Sequence, residues 1–153
     1  MTAEVSLVPV TDAEGQEFLQ MAVQHFRSLN PEFVPQSDWI EHYFRNIQSN
    51  SNYALRWILA DGRRAGFILF GVEKHRFLPR STGNIYELYV CPSHRRRGIG
   101  LECARLAVAE LQKLGSSKIQ LEVMDGNEGA RALWLSMGFR KVSERYVLPQ
   151  AKP

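Results

Sequence analysis

The sequence predicts a single α/β (α+β) domain with a mixed central sheet of about seven strands and helices on both faces. Its 153 residues suit one domain. The 44% hydrophobic and 23% charged residues exclude a disordered, collagen-like or coiled-coil chain. Strand and helix periodicities follow one another in the order β-α-α-β-β-β-α-β-α-β-β. The central strand–helix–strand unit predicts a parallel pair, and the flanking hairpins predict antiparallel pairs, so the sheet is mixed.

The first half of the chain predicts a strand, two helices and a hairpin. Thr11 and Glu14 form a capping-box pattern, after which apolar residues recur at helical spacing as far as Leu29. Ser37 is a suitable N-cap for the second helix. Asp61-Gly62 is a tight-turn pair between two strand-like runs. The predicted elements are a strand at 5–10, helices within 12–49, and strands at 53–60 and 65–72.

The second half predicts alternating strands and helices. Pro92 ends a strand, and Gly98 and Gly115 bracket a helix with one apolar face. Around Leu121, apolar residues alternate with polar ones, which is typical of a half-buried strand. The predicted elements are strands at 85–91 and 118–124, helices at 98–115 and 127–137, a final pair of strands at 139–142 and 145–148, and a loose tail at 149–153.

Basic residues are concentrated in one segment of the chain. The net charge of +3 is by itself too small to indicate a nucleic-acid partner. Residues 74–97, however, contain six Lys or Arg residues and one acidic residue, Glu87. The positive charge is therefore a local property of this segment, and it indicates an anionic ligand there.

The cysteines and the N-terminal residues indicate in which compartment the protein is expected. Cys91 and Cys103 are too few for a disulfide framework, which favours a reducing compartment. No Cys or His spacing matches a metal site, so no metal is expected. The N-terminus has no signal-peptide pattern, and no apolar run approaches the ~18 residues of a membrane span. We therefore expect a cytoplasmic protein with no membrane partner, and a homodimer is one assembly open to it.

The segment from Tyr86 to Gly100 carries the clearest chemical signal. A strand ends, the loop Arg95-Arg96-Arg97 follows, and Gly98 and Gly100 open a helix. The first turn of a helix has unpaired backbone N–H groups and a favourable dipole, which together bind anions. Glycine lets a phosphate approach the backbone, and arginine supplies bidentate donors. This pattern predicts a phosphate or pyrophosphate site.

This segment has four other interpretations. No Gly-Lys-Ser/Thr is present, so a P-loop is disfavoured, and Cys103 stands where a dinucleotide fingerprint needs its third glycine. An ordinary helix start with solvated arginines stays open. A nucleic-acid-binding module is disfavoured because aromatic residues do not interleave the arginines.

Two motifs resemble the Gcn5-related N-acetyltransferase (GNAT) family. Arg95-x-x-Gly98-x-Gly100, after Leu88-x-Val90-x-Pro92, is similar to that family's acyl-CoA signature. Downstream, Leu121-x-Val123 is followed by Asn127-x-x-Ala130-x-x-Leu133-Trp134-x-x-x-Gly138-Phe139. The resemblance implies one N-acetyltransferase domain over residues 1–153, with core motifs at 85–139. Helices within residues 12–49 would shape the acceptor pocket.

The resemblance also implies a coenzyme site and a reaction. Acetyl-CoA would lie between the strands at 85–91 and 118–124, with its pyrophosphate on the loop and its pantetheine arm along the first strand. A primary amine, of a small molecule or of a peptide or protein, would then attack the thioester directly. The implied coenzyme-binding residues are Tyr89, Val90, Arg95, Arg96, Arg97, Gly98, Ile99, Gly100, Leu101 and Asn127.

Glu87 is the candidate general base, because the attacking amine must be neutral and several family members carry an acid at this place. Its alternative interpretation is a structural or solvent-facing strand carboxylate. Strand alternation places Glu87 on the same face as Tyr89 and Cys91, and a β-bulge would change that alternation.

Trp134 is the clearest departure from the family. Tyrosine commonly stands there and protonates the leaving thiolate, whereas an indole N–H is no useful acid near neutral pH. Trp134 also falls at helical spacing with Ala130 and Met137, which favours a core position. Tyr89 and Tyr146 are candidate acids by residue type alone, so the general acid is left unassigned. A non-catalytic acyl-CoA-binding regulatory domain is the alternative function.

Overall fold

The computed structural model describes residues 3–150, and in this range it has five strands and four α-helices around one sheet. Short 3-10 helices at Asp12–Glu14 and Pro92–His94 precede two of the α-helices. The elements are β1 (Val5–Pro9), α1 (Gly15–Leu29), α2 (Ser37–Ser49), β2 (Tyr53–Ala60), β3 (Arg63–Lys74), β4 (Ser81–Val90), α3 (Ile99–Lys113), β5 (Lys118–Leu121) and α4 (Glu128–Ser136).

The sheet is mixed, as the sequence predicts. Its strand order is β1-β2-β3-β4-β5. The first three neighbouring pairs are antiparallel, and β4 and β5 are parallel with α3 as the crossover between them. The α/β class and the strand–helix–strand unit are confirmed.

The predicted number of strands is wrong, because residues 139–142 and 145–148 form no strand. They contain β-branched and aromatic side chains, but Val142 is 94% exposed and Tyr146 is 84% exposed. Such a segment becomes a strand only when a neighbour supplies a ladder of hydrogen bonds. In the described residues the sheet ends at β5, which has four residues rather than the seven predicted for it.

Two hydrophobic clusters cover the two faces of the sheet. One joins α1 and α2 to side chains such as Phe67 and Leu69, and the other joins α3 and α4 to Ile68 and Phe70. These four residues alternate along β3, and both sets are buried. β3 is therefore the central strand, and helices cover both faces as expected.

Gly66→Ala should destabilise the fold by disrupting the β3–β4 pair. A Cβ at Gly66 would lie 1.8 Å from the carbonyl oxygen of Tyr89, so the two strands would have to separate. We expect the free energy of unfolding, measured with urea, to fall by about 3 kcal/mol, the upper range for overpacking. Gly129→Ala in α4 is the control, since a Cβ there meets nothing within 4 Å. Equal stability of the two variants would contradict this account.

Candidate functional site

The β4–β5 pair opens into a gap beyond its first four residue pairs. Pairing runs from Thr82 and Lys118 to Ile85 and Leu121, whereas β4 continues as far as Val90. From Tyr86 onward, one side of β4 bonds to β3 and the other has no strand beside it among residues 3–150. An extended ligand can add to such a strand edge.

The backbone orientation at the end of β4 decides which groups face the gap. The N–H of Cys91 donates to the carbonyl of Ala65 at 2.7 Å, and the Tyr89 carbonyl points at Gly66. Both groups are therefore turned toward β3. Because backbone groups alternate along a strand, those of Leu88 and Val90 face the gap. Sequence reasoning named Tyr89 and Val90 and passed over Leu88.

A β-bulge in β4 sets the direction of Glu87. Leu69 pairs with Glu87, but the next residue, Phe70, pairs with Ile85, so Tyr86 is the additional residue. A bulge reverses strand alternation locally. Ile85 consequently packs in the cluster on the α3 side, whereas Glu87 and Tyr89 are turned toward α1.

Glu87 is a partly buried carboxylate with one firm partner. Its Oε2 atom lies 2.5 Å from Nε2 of His25 on α1, and 24% of its side chain is exposed. Tyr43 of α2 is near, and burial together with the Glu87 carboxylate raises the pKa of the Tyr43 hydroxyl. Glu87 is therefore not a freely solvated strand residue, and one of its oxygens stays available for another group.

The loop after β4 presents a row of backbone donors. Arg96 and Gly98 have φ values of 65° and 74°, in the left-handed region, and the helical ladder begins with Glu102 N–H donating to the Gly98 carbonyl at 3.1 Å. The N–H groups of residues 98–101 precede that bond and have no backbone acceptor within residues 3–150. Their direction along the axis of α3 makes this turn suitable for an anion.

The three arginines of the loop differ in what they contact. The Nε of Arg95 donates to the Val90 carbonyl at 2.8 Å, and its guanidinium lies 5.7 Å from the centre of the Tyr89 ring. Arg95 thus ties the loop to the end of β4. Arg96 is exposed, and Arg97 borders a surface cavity of about 460 Å³ between β1 and α3.

Asn127 begins α4 on the β5 side of the gap. Its Oδ1 accepts the Ala130 N–H at 3.2 Å, so the side chain is an N-cap. The amide NH2 group takes no part in that bond and can donate to a ligand. Gly100 lies between the two sides of the gap, since a Cβ there would be 3.8 Å from Val90 and 3.9 Å from Leu133.

Residues 19–139 match the profile of the Acetyltransferase (GNAT) family. The chain belongs to the GNAT family. This match covers most of the sequence and confirms the family expected from the two motifs.

Named relatives agree with the family assignment. An uncharacterized N-acetyltransferase of Methanocaldococcus jannaschii is 24% identical over 138 residues, which cover 86% of this chain and 59% of the relative. The chain thus spans little more than half of that protein. The [ribosomal protein bS18]-alanine N-acetyltransferase of Escherichia coli K12 is 29% identical over 107 residues, 70% of this chain and 68% of the relative.

The fold is also that of solved GNAT-like structures. A ribosomal-protein-alanine N-acetyltransferase from Brucella melitensis superposes with a TM-score of 0.74 at 17% identity, covering 98% of this chain and all of the other. At this identity the likeness shows the fold alone.

Trp134 of this GNAT chain packs in the core, as its helical spacing predicts. It is 6% exposed in the cluster on the α3 side, with its ring centre 5.5 Å from that of Phe139. Of the two tyrosines considered as acids, Tyr146 is exposed, and the Tyr89 hydroxyl donates to Oε1 of Gln24 at 3.3 Å. Burial raises the pKa of Tyr89. The general acid stays unassigned.

An aromatic wall lies on the α1–α2 side of Glu87. It consists of partly buried rings in contact with one another, Trp39 and Tyr43 stacking at 4.9 Å between ring centres. Its members are Phe26, Phe33, Trp39 and Tyr43. Sequence reasoning did not name these four residues or His25 among the site residues. The signal that it overlooked was a polar residue on the apolar face of α1, beside Met21 and Ala22.

Residues 3–150 contain neither a metal-binding cluster nor a membrane-spanning helix. No group of three His, Cys, Asp or Glu side chains within residues 3–150 is placed to hold a metal ion. None of the helices in this part of the chain is long and apolar enough to cross a membrane.

Asn127→Ala should weaken α4, because it removes the acceptor for the Ala130 N–H. We expect the free energy of unfolding to fall by about 1 kcal/mol, the usual loss for an N-cap. Asn127→Asp retains a cap acceptor and should match the wild type in the same urea titration. Equal loss in both variants would show that the cap is not what stabilises this helix.

Proposed function

We propose that this GNAT protein is an N-acetyltransferase that moves the acetyl group of acetyl-CoA to a primary amine by direct attack. Membership of the family supports acetyl transfer in general. The observation that carries the finer proposal is one continuous arrangement. The open edge of β4, the unpaired N–H groups at the start of α3 and the Glu87 carboxylate all meet at the gap between β4 and β5.

Each part of the coenzyme has a suitable partner in this arrangement. The Val90 N–H and the backbone groups of Leu88 on the open edge suit the amide groups of a pantetheine arm, while the Val90 carbonyl already accepts from Arg95. The N–H groups of residues 98–101, with the basic loop beside them, suit the pyrophosphate. The NH2 group of Asn127, which takes no part in the cap of α4, would donate to the arm from the other side.

Glu87 supplies the base in the proposed reaction. The amine nitrogen bonds to the thioester carbonyl carbon while one N–H proton passes to Oε1 of Glu87, directly or through a water. The carbon–sulfur bond then breaks, and the thiolate leaves with its electron pair. Because the pKa of a thiol is only about 8.5, the thiolate is a good leaving group that can depart before it takes a proton from water, and no dedicated acid is required.

The acceptor is proposed as a primary amine of a peptide or a small molecule. The E. coli relative is named for an alanine of ribosomal protein bS18, which favours testing a peptide α-amine first. A cytoplasmic location belongs to the same proposal and is supported by two cysteines that form no disulfide.

Incubation with acetyl-CoA and a panel of peptide and small-molecule amines tests the function. Glu87→Gln should lower kcat at neutral pH by about a hundredfold or more, the usual contribution of a general base, with unchanged affinity for acetyl-CoA. Thiol release and product mass are the readouts. Glu73→Gln, an exposed carboxylate near the end of β3, is the control and should retain full rate. Binding of acetyl-CoA without turnover on any amine would favour the regulatory alternative.

Gly98→Ala should weaken acetyl-CoA binding, because it disturbs the turn whose N–H groups face the pyrophosphate. Gly115→Ala is a matched control at the other end of α3, where φ is 84° and a Cβ likewise meets nothing within 4 Å. Both variants should lose about 1 kcal/mol of stability from left-handed strain. Calorimetric titration should show lower affinity in Gly98→Ala alone, and equal affinity in both variants would argue against this binding turn.

A further inference from the structure

We propose that His25 is a positioning residue that holds Oε2 of Glu87, so that Oε1 faces the attacking amine. This inference rests on the proposed function and adds a second residue to its proton transfer. The two residues are 62 positions apart in sequence and meet only through the packing of α1 on β4.

A short hydrogen bond joins the pair. Nε2 of His25 and Oε2 of Glu87 are 2.5 Å apart, and when Glu87 is ionised, as its role as the base requires, Nε2–H donates and the carboxylate accepts. His25 is 6% exposed, whereas 24% of the Glu87 side chain is exposed. The donor is thus fixed inside the core, and the acceptor extends from it with Oε1 uncommitted.

The His25 ring is held in place by aromatic neighbours on three sides. The centres of the Phe26, Tyr89 and Phe67 rings lie 5.1, 5.5 and 5.6 Å from that of His25. A ring packed in this way cannot easily turn away from Glu87. The carboxylate is therefore confined to one rotamer, and confinement of a reacting group is what raises the rate of a proton transfer.

Stability alone gives little reason for this pair. The surrounding side chains on α1 and β3 are apolar or aromatic, and an apolar residue of similar volume at position 25 would pack against them equally well. Buried ion pairs are often no more stable than such replacements. A polar pair that reaches from the core to the open gap is better explained by the reaction of Glu87.

The other titratable groups around Glu87 are uncharged, so His25 is the main hydrogen-bond donor to its carboxylate. Tyr43 faces it from α2, and Tyr89 and Cys91 belong to the same cluster at the end of β4. Burial raises the pKa of all three, so they stay uncharged near neutral pH. β3 presents Phe67 and Leu69 on this side.

The test combines two His25 variants with Glu87→Gln. His25→Leu removes the donor, and kcat should fall about tenfold or more with little change in KM for acetyl-CoA. His25→Gln, whose amide N–H has a similar reach, should restore most of the rate.

A double-mutant cycle separates positioning from a general structural effect. In the Glu87→Gln background, His25→Leu should cause no further loss of kcat, because the group that it positions is absent. An equal loss in both backgrounds would overturn the role of His25. If His25→Leu fails to fold, a His25→Gln enzyme as slow as Glu87→Gln would overturn it instead.

The same experiments distinguish this inference from the proposed function. A wild-type protein that transfers acetyl groups normally, with His25→Leu unaffected, contradicts the role of His25 alone. A wild-type protein that acetylates no amine contradicts the proposed function.

The ring ¹⁵N shifts of His25 give an independent measure of its hydrogen bond to Glu87. We expect Nε2 to be protonated and its resonance to change in Glu87→Gln. Protonation at Nδ1 with a bare Nε2 would overturn the assignment.

Discussion

The candidate site depends on the additional residue Tyr86 in β4. This bulge coincides with the last β4–β5 residue pair, and it reverses the alternation of the strand. One irregularity thus places a carboxylate toward α1 at the point where a gap opens toward β5. Without it, Glu87 would be on the α3 side, among apolar side chains, and the open edge would have no base beside it.

The central part of the fold could be predicted from local signals. The capping box at Thr11, the turn at Asp61-Gly62 and the glycines around α3 act within a few residues, and all the elements that they delimit are present. Features that depend on distant partners could not be predicted. The β-branched and aromatic residues within 139–148 suggested strands, yet these residues have no neighbouring strand. The hydrogen bond between His25 and Glu87 joins residues 62 positions apart, and no local sequence pattern predicts it.

In the basic loop as well, the sequence pattern predicts a site but not the contacts of the individual side chains. Three consecutive arginines predicted an anion site, and the unpaired N–H groups at the start of α3 support one. Their contacts differ, because Arg95 bonds to the Val90 carbonyl, whereas Arg97 borders the cavity between β1 and α3. Family membership agrees with this arrangement, while Trp134 shows that the chain differs from common family members at the place of the usual acid.

Backbone hydrogen exchange with and without acetyl-CoA tests the central claim most directly, because that claim concerns backbone groups at the gap. The account predicts slower exchange at Leu88 and Val90 and at residues 98–101, with the exposed segment 140–150 unchanged. Unchanged exchange at all of these amides under saturating acetyl-CoA, or protection confined to other parts of the surface, would contradict it.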